Sequence, residues 1–145
     1  MFWMFMDKHD HVINYEGDAW PLTEETFSNP RSNGTFAKIL RSYVRERQLM
    51  TLQEALRKMS LMPAQTLEGF VPQMKKKGRL QQGMDADIVV FNPETISDVG
   101  TYEKPNQPAV GVQSLLVNGL PVVDGGKLVL DAPAGRPIRR ELQTR

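Results

Sequence analysis

The sequence predicts an α+β chain in which helices come first and a small, hairpin-rich sheet follows. Three observations carry that expectation. Between residues 36 and 59 apolar side chains recur at helical spacing. From residue 86 onward the pattern changes to short β-branched runs separated by turn residues. The two kinds of segment do not alternate, so a parallel βαβ order is not indicated. No internal repeat is present.

Taken in chain order, Met1 to Met6 (Met-Phe-Trp-Met-Phe-Met) is short and intensely apolar. It reads as a strand or helix turn tucked into a core, or as an apolar patch that another chain covers; the second is the preferred expectation. His11 to Glu16 is β-prone and is predicted as a strand. It runs into the turn-rich Gly17-Asp18-Ala19-Trp20-Pro21. Residues 21–34 hold two prolines, two asparagines and a glycine, and read as an irregular loop. Phe36, Ile39, Leu40, Tyr43 and Val44 then form one apolar stripe, with Lys38, Arg41, Arg45 and Glu46 turned outward. Thr51-Leu52-Gln53-Glu54 is a capping box that starts a second helix, with Leu52, Ala55, Leu56 and Met59 on its buried face. Pro63 is expected to open a further short helix, through about Leu67. Lys75-Lys76-Lys77-Gly78 ends the helical region.

The sheet follows. Ala86 to Phe91 is nearly continuous in apolarity, which predicts a strand covered on both faces. Asn92-Pro93 stops it, and residues 97–109 read as a loop. Val112 to Val117 is the next strand. Asn118-Gly119 predicts a two-residue type I′ turn into Leu120 to Val123. Pro121 places that return strand at an edge. Asp124-Gly125-Gly126 turns again into Lys127 to Leu130. From Asp131 onward the tail is expected to be extended, held only by docking.

The composition narrows the function classes. The chain has 145 residues, 40% hydrophobic, with 18 Lys+Arg against 17 Asp+Glu. A net charge of +1 gives no bulk attraction for nucleic acid or a membrane surface. The absence of cysteine excludes disulfides, thiolate metal sites and cysteine nucleophiles, and fits a cytoplasmic location. No run approaches the ~18 apolar residues of a membrane span, and Met1 to Met6 lacks the parts of a signal peptide.

Four stretches carry a resemblance. Gly78-Arg79-Leu80-Gln81-Gln82-Gly83-Met84-Asp85-Ala86-Asp87-Ile88-Val89-Val90-Phe91 resembles the C-terminal signature of the amidohydrolase superfamily. Val117-Asn118-Gly119-Leu120-Pro121-Val122-Val123, with Gly125-Gly126 behind it, matches the hairpin that follows there. Asn29-Pro30-Arg31-Ser32-Asn33-Gly34-Thr35-Phe36 resembles the His-Pro-Arg-x-x-Gly-Thr-Phe segment of the N-acyl-D-amino-acid deacylase (D-aminoacylase) branch, and Pro63-Ala64-Gln65 its short Pro-Ala helix. The four stand in the right order at the right spacing.

The resemblance implies a division of the chain. Residues 1–34 would be a remnant of the last strand of a (β/α)8 barrel with its active-site loop. Residues 35–78 would be the helical segment after it, 79–131 one share of a composite β-sandwich, and 132–145 an extended tail. The first seven barrel strands and the other sandwich share would be missing. The implied reaction is metal-assisted amide hydrolysis, in which zinc activates a water and a carboxylate at the end of the last barrel strand moves the proton to the leaving amine. Asp18 matches that carboxylate as a vestigial proton shuttle; a turn aspartate bonding its own backbone is the alternative. Arg31 is retained and could clamp a substrate carboxylate through its planar fork, or pair with Glu24 or Glu25 to order the loop. Asn29 stands where the branch has His, and an amide cannot exchange a proton near neutral pH.

A catalytic zinc site takes three protein ligands and a water. His9 and His11 are candidates, since a His-x-His pair on a strand points both rings to one face. The family's own pair lies on the first barrel strand, and no third ligand has evident spacing here. The expectation is therefore a chain that holds no cofactor in isolation, is inactive alone, and self-associates, as a dimer, to cover its lost interfaces. The alternative is one subunit of a split N-acyl-amino-acid deacylase whose barrel-bearing partner chain supplies the metal site.

Overall fold

The computed structural model describes residues 3–6, 12–15 and 29–139 of the chain. Strand β1 (Trp3–Met6) pairs antiparallel with β2 (Val12–Tyr15), Trp3 opposite Tyr15 and Met6 opposite Val12. The parallel neighbours that a last barrel strand requires are not among the described residues.

The first helix begins at α1 (Arg31–Lys38) and continues through a wider, π-type stretch, Ile39–Glu46. It starts earlier than expected: residues 31–34, read as loop, are helical. Pro30, with its fixed φ, stands at the N-cap position, and the Asn29 side chain accepts the Arg31 N–H at 3.1 Å. These local devices outweigh the turn propensity of Ser32-Asn33-Gly34.

The second helix runs without a break through α2 (Leu52–Leu56), a wide stretch (Arg57–Leu61) and α3 (Met62–Leu67). Its start is the predicted capping box, Thr51 accepting from the Glu54 backbone N–H while the Glu54 carboxylate accepts the Thr51 N–H. Pro63 opens no separate helix. The turn before it widens, with Met62 N–H reaching back to Arg57 O, so the ring is accommodated where a regular α-turn would clash. A short 3₁₀ turn, Pro72–Lys76, follows.

The four-stranded antiparallel sheet has the order β3 (Ile88–Phe91), β4 (Val112–Val117), β5 (Leu120–Asp124), β6 (Lys127–Leu128). Asn118 and Gly119 have φ of 51° and 80°, as a type I′ turn demands. Two expectations fail here. β3 is not covered on both faces: it lies at the sheet edge, and the neighbours Val89 and Val90 are 48% and 45% exposed. A bulge between Val90 and Phe91 then turns Phe91 onto the core. β5 is an inner strand despite Pro121. Its partner β6 pairs only Val123 and Asp124, so the Pro121 end has no ladder bond to lose on that side.

The core lies between the helices and the start of the sheet. Ala37, Ile39, Leu40, Ala55 and Ile96 are buried together, with Tyr43, Val44, Leu52, Leu56, Met59, Phe91 and Val112 packed around them. Gly111, at φ +86°, passes so close to Ile96 that a Cβ would stand 2.6 Å from its backbone. Among the described residues no helix is long and apolar enough to cross a membrane. Gly111→Ala is expected to lower unfolding stability by about 2 kcal/mol or more, through overpacking and backbone strain together. Urea unfolding would read this, with Gly83→Ala, also at positive φ but in open space, as the control for strain alone.

Candidate functional site

Asp18, His9 and His11 lie outside the described residues. Arg31 is described: it is the first residue of α1 and is exposed. Its backbone is fixed at both ends, its N–H donating to the Asn29 side chain and its carbonyl accepting from Thr35 Oγ1 at 2.6 Å. Asn29 thus serves here as a local cap, a task its amide performs without any proton exchange.

Two arginines read as outward-facing are in fact fasteners. Arg41 Nε donates to Asp98 Oδ1 at 2.8 Å, and its Nη1 reaches both carboxylate oxygens of Glu46 at 3.0 and 3.1 Å. Arg45 Nη1 donates to the carbonyls of Pro93 and Ile96 at 2.7 and 3.0 Å. Set one helical turn apart, they hold the chain that leaves β3 against the first helix. The i, i+4 spacing of Arg41 and Arg45 was visible in the sequence. Their partners after β3, Asp98 and the carbonyls of Pro93 and Ile96, more than 45 residues away, were not.

The signature segment also folds into a fastener. Lys77 Nζ pairs with Asp87 at 2.6 Å and Asp85 at 2.9 Å. The other oxygen of Asp87 accepts the Asn118 N–H at 2.8 Å, and Ala86 O accepts the Gly119 N–H at 2.9 Å. The Ala-Asp step of the motif therefore locks three places together: the end of the helical region, the start of β3 and the β4–β5 turn. Partial burial works against the Asp87 charge, but the Lys77 and Asn118 bonds outweigh it and hold the carboxyl below the usual aspartate range. Burial likewise disfavours the Lys77 ammonium, and its two carboxylate partners raise it on balance. Nearby, Arg79 donates to Glu68 at 2.6 Å and to the carbonyls of Met74, Lys75 and Lys77.

Among the described residues no three His, Asp or Glu side chains gather in a way that could hold a metal ion. Asp85, Asp87 and Asp98 are each committed to a cation. The described residues do not fit a catalytic zinc centre. They hold the Arg31 backbone at the start of α1 through the Asn29 side chain and Thr35 Oγ1.

Because the Asp87 carboxyl is depressed, its contribution is present above the ordinary aspartate range and lost as pH falls through its lowered value. That of Lys77, being raised, is present below the ordinary lysine range and lost only as pH climbs past it. Wild-type stability should thus be flat in this pair across neutral pH and decline below about pH 4. Asp87→Asn should cost about 1 kcal/mol at pH 7, the pair being only partly buried, and flatten the acid limb. Urea unfolding measured from pH 2.5 to 8 would test both, and an acid limb unchanged in the variant would refute the assignment.

The model of the amidohydrolase family matches residues 6–123. Over 101 residues the chain is 37% identical to an N-acyl-D-glutamate deacylase and 39% identical to a D-aminoacylase, both of Alcaligenes xylosoxydans xylosoxydans. Each alignment takes in 70% of this chain but 20% of the relative, so the chain spans about one fifth of the length of these proteins. Its fold is similar to a crystal structure of D-aminoacylase, with a TM-score of 0.69 and 36% identity over 77% of this chain and 22% of that one. It is similar also to the N-acyl-D-glutamate deacylase of Bordetella bronchiseptica, solved with zinc and a phosphonate mimic of the tetrahedral intermediate. There the TM-score is 0.67, at 39% identity over 77% of this chain and 22% of that one. Matched by the family model over residues 6–123 and similar in sequence and fold to its deacylases, this chain belongs to the amidohydrolase family.

Proposed function

We propose that this chain is the C-terminal, amidohydrolase-like segment of a lineage of metal-dependent N-acyl-D-amino-acid deacylases, non-catalytic on its own and self-associating. The observation that carries it is the coverage: identity of 35–39% to three deacylases is confined to one fifth of their length. A segment of that extent would keep the helices and the sheet and leave the metal-bearing strands elsewhere. Exposed apolar side chains support association. Val89, Val90, Leu120, Leu128 and Leu130 are at least 45% exposed on or beside one small sheet.

A second reading has its own support. Arg31 stands exposed at the start of α1 with its backbone tied at both ends, and in this reading it would clamp the carboxylate of a substrate bound by another chain. In that case the chain is one subunit of a split deacylase, Asp18 its proton shuttle and a barrel-bearing partner its source of metal ligands.

Purified chain supplied with zinc is expected to release no amino acid from N-acetyl-D-glutamate, N-acetyl-D-aspartate or N-acetyl-D-methionine, and to scatter light as a dimer. Turnover by the chain alone, abolished by Asp18→Asn, would overturn the non-catalytic assignment. A monomer at micromolar concentration would overturn self-association. Activity that arises only on adding a metal-bearing polypeptide, and falls at least tenfold with Arg31→Ala, would establish the second reading.

A further inference from the structure

Three contacts converge on one joint between the start of the first helix and the loop after β3. The Cβ that Gly34 lacks would stand 2.9 Å from the Cβ of Asp98. The missing Cβ of Gly100 would stand 2.9 Å from Pro105 O and 3.6 Å from the Cα of Pro30. Asp98, its side chain only 16% exposed, is held from the other side by Arg41 Nε at 2.8 Å. Gly34 lets the Asp98 side chain lie against the helix backbone, Gly100 lets its own loop fold close with Pro30 alongside, and the ion pair ties Asp98 to the first helix. Gly34 belongs to the stretch that resembles the deacylase branch; Asp98 stands in a loop with no evident motif.

We infer that Asp98 is a positioning residue: through Arg41 and Gly34 it fixes where the Asn29–Arg31 segment stands relative to the sheet. A guanidinium fork recognises a planar anion only when its base is held in place, and a displacement of about 1 Å at such a group is enough to lose most of its effect. The Arg31 backbone is tied to Asn29 and Thr35, yet those ties are local to the helix end. The Asp98 joint refers that end to the loop after β3. The use made of the placed segment rests on the function proposed above; the placement itself does not.

Hydrogen exchange on the full-length chain tests this directly. Asp98→Asn keeps the Cβ against Gly34 and removes the charge that Arg41 grips. It is expected to speed exchange at the Gly34, Thr35 and Phe36 amides about tenfold, while Ala55 to Met59 in the second helix change less than about twofold. Asp98→Glu should restore most of the protection, and Arg41→Gln should reproduce the Asn result from the other partner. Unchanged exchange at residues 34–36 in both variants would overturn the inference. So would a rise shared equally by the second helix, which would mean general loosening, or Asp98→Glu behaving as Asp98→Asn. A chain found active alone would refute the proposed function and leave this exchange pattern standing. Unchanged exchange would remove the joint and leave the deacylase lineage intact.

Discussion

The fold depends on the burial of Ile39 and Leu40 of the first helix against Ala55 of the second and Ile96 of the sheet-side chain. Each helical stretch is marginal in water by itself, because nucleation is costly and few turns repay it. Packing one apolar stripe against another supplies the missing stability. Ile96 is the buried member of this cluster that comes from the residues after β3, with Ala109 and Val112 packed beside it. The close pass of Gly111 and the two arginines that grip Pro93, Ile96 and Asp98 all serve to keep it there.

The signature residues around Asp87 are engaged in structural bonds. Asp87 and the turn glycine are recognisable because a partly buried carboxylate and a left-handed turn must be satisfied wherever this hairpin meets the end of the helical region. Such a motif marks an architecture. Chemistry has to be argued from a site, and among the described residues no three His, Asp or Glu side chains gather as metal ligands. The contrast with the zinc-bound structure of a relative, of which this chain covers 22%, is one of extent, not of fold.

The core is also shallow. No large side chain among the described residues is fully buried, and Val89, Val90, Leu120 and Leu128 of the sheet are exposed. A sheet with one face on helices normally buries that face and alternates polar residues on the other. Here Val89 and Val90 point to opposite sides at the edge and both meet solvent. Exposed apolar side chains at a sheet edge favour the self-association proposed above.

The local code was legible where a few neighbouring residues decide the outcome. The Thr51–Glu54 capping box, the Asn118-Gly119 turn, strand Val112–Val117 and the apolar stripe around Ile39 follow from side chains within one or two turns of each other. Three differences arise where distant chain sets the answer. Continuous apolarity in Ile88–Phe91 foretold double coverage, but the number of neighbours is a property of sheet order. Pro121 foretold an edge, and β6 made the strand an inner one by pairing past the proline. Arg41 and Arg45 read as solvent-facing because their partners lie far along the sequence. By itself the sequence determined the periodicities, caps, turns and family signature, since these rest on backbone geometry and short-range hydrogen bonding. Tertiary structure alone decided which charges pair, which valines stay exposed and which residue anchors the Arg31 segment, because those depend on which surfaces meet once the chain has collapsed.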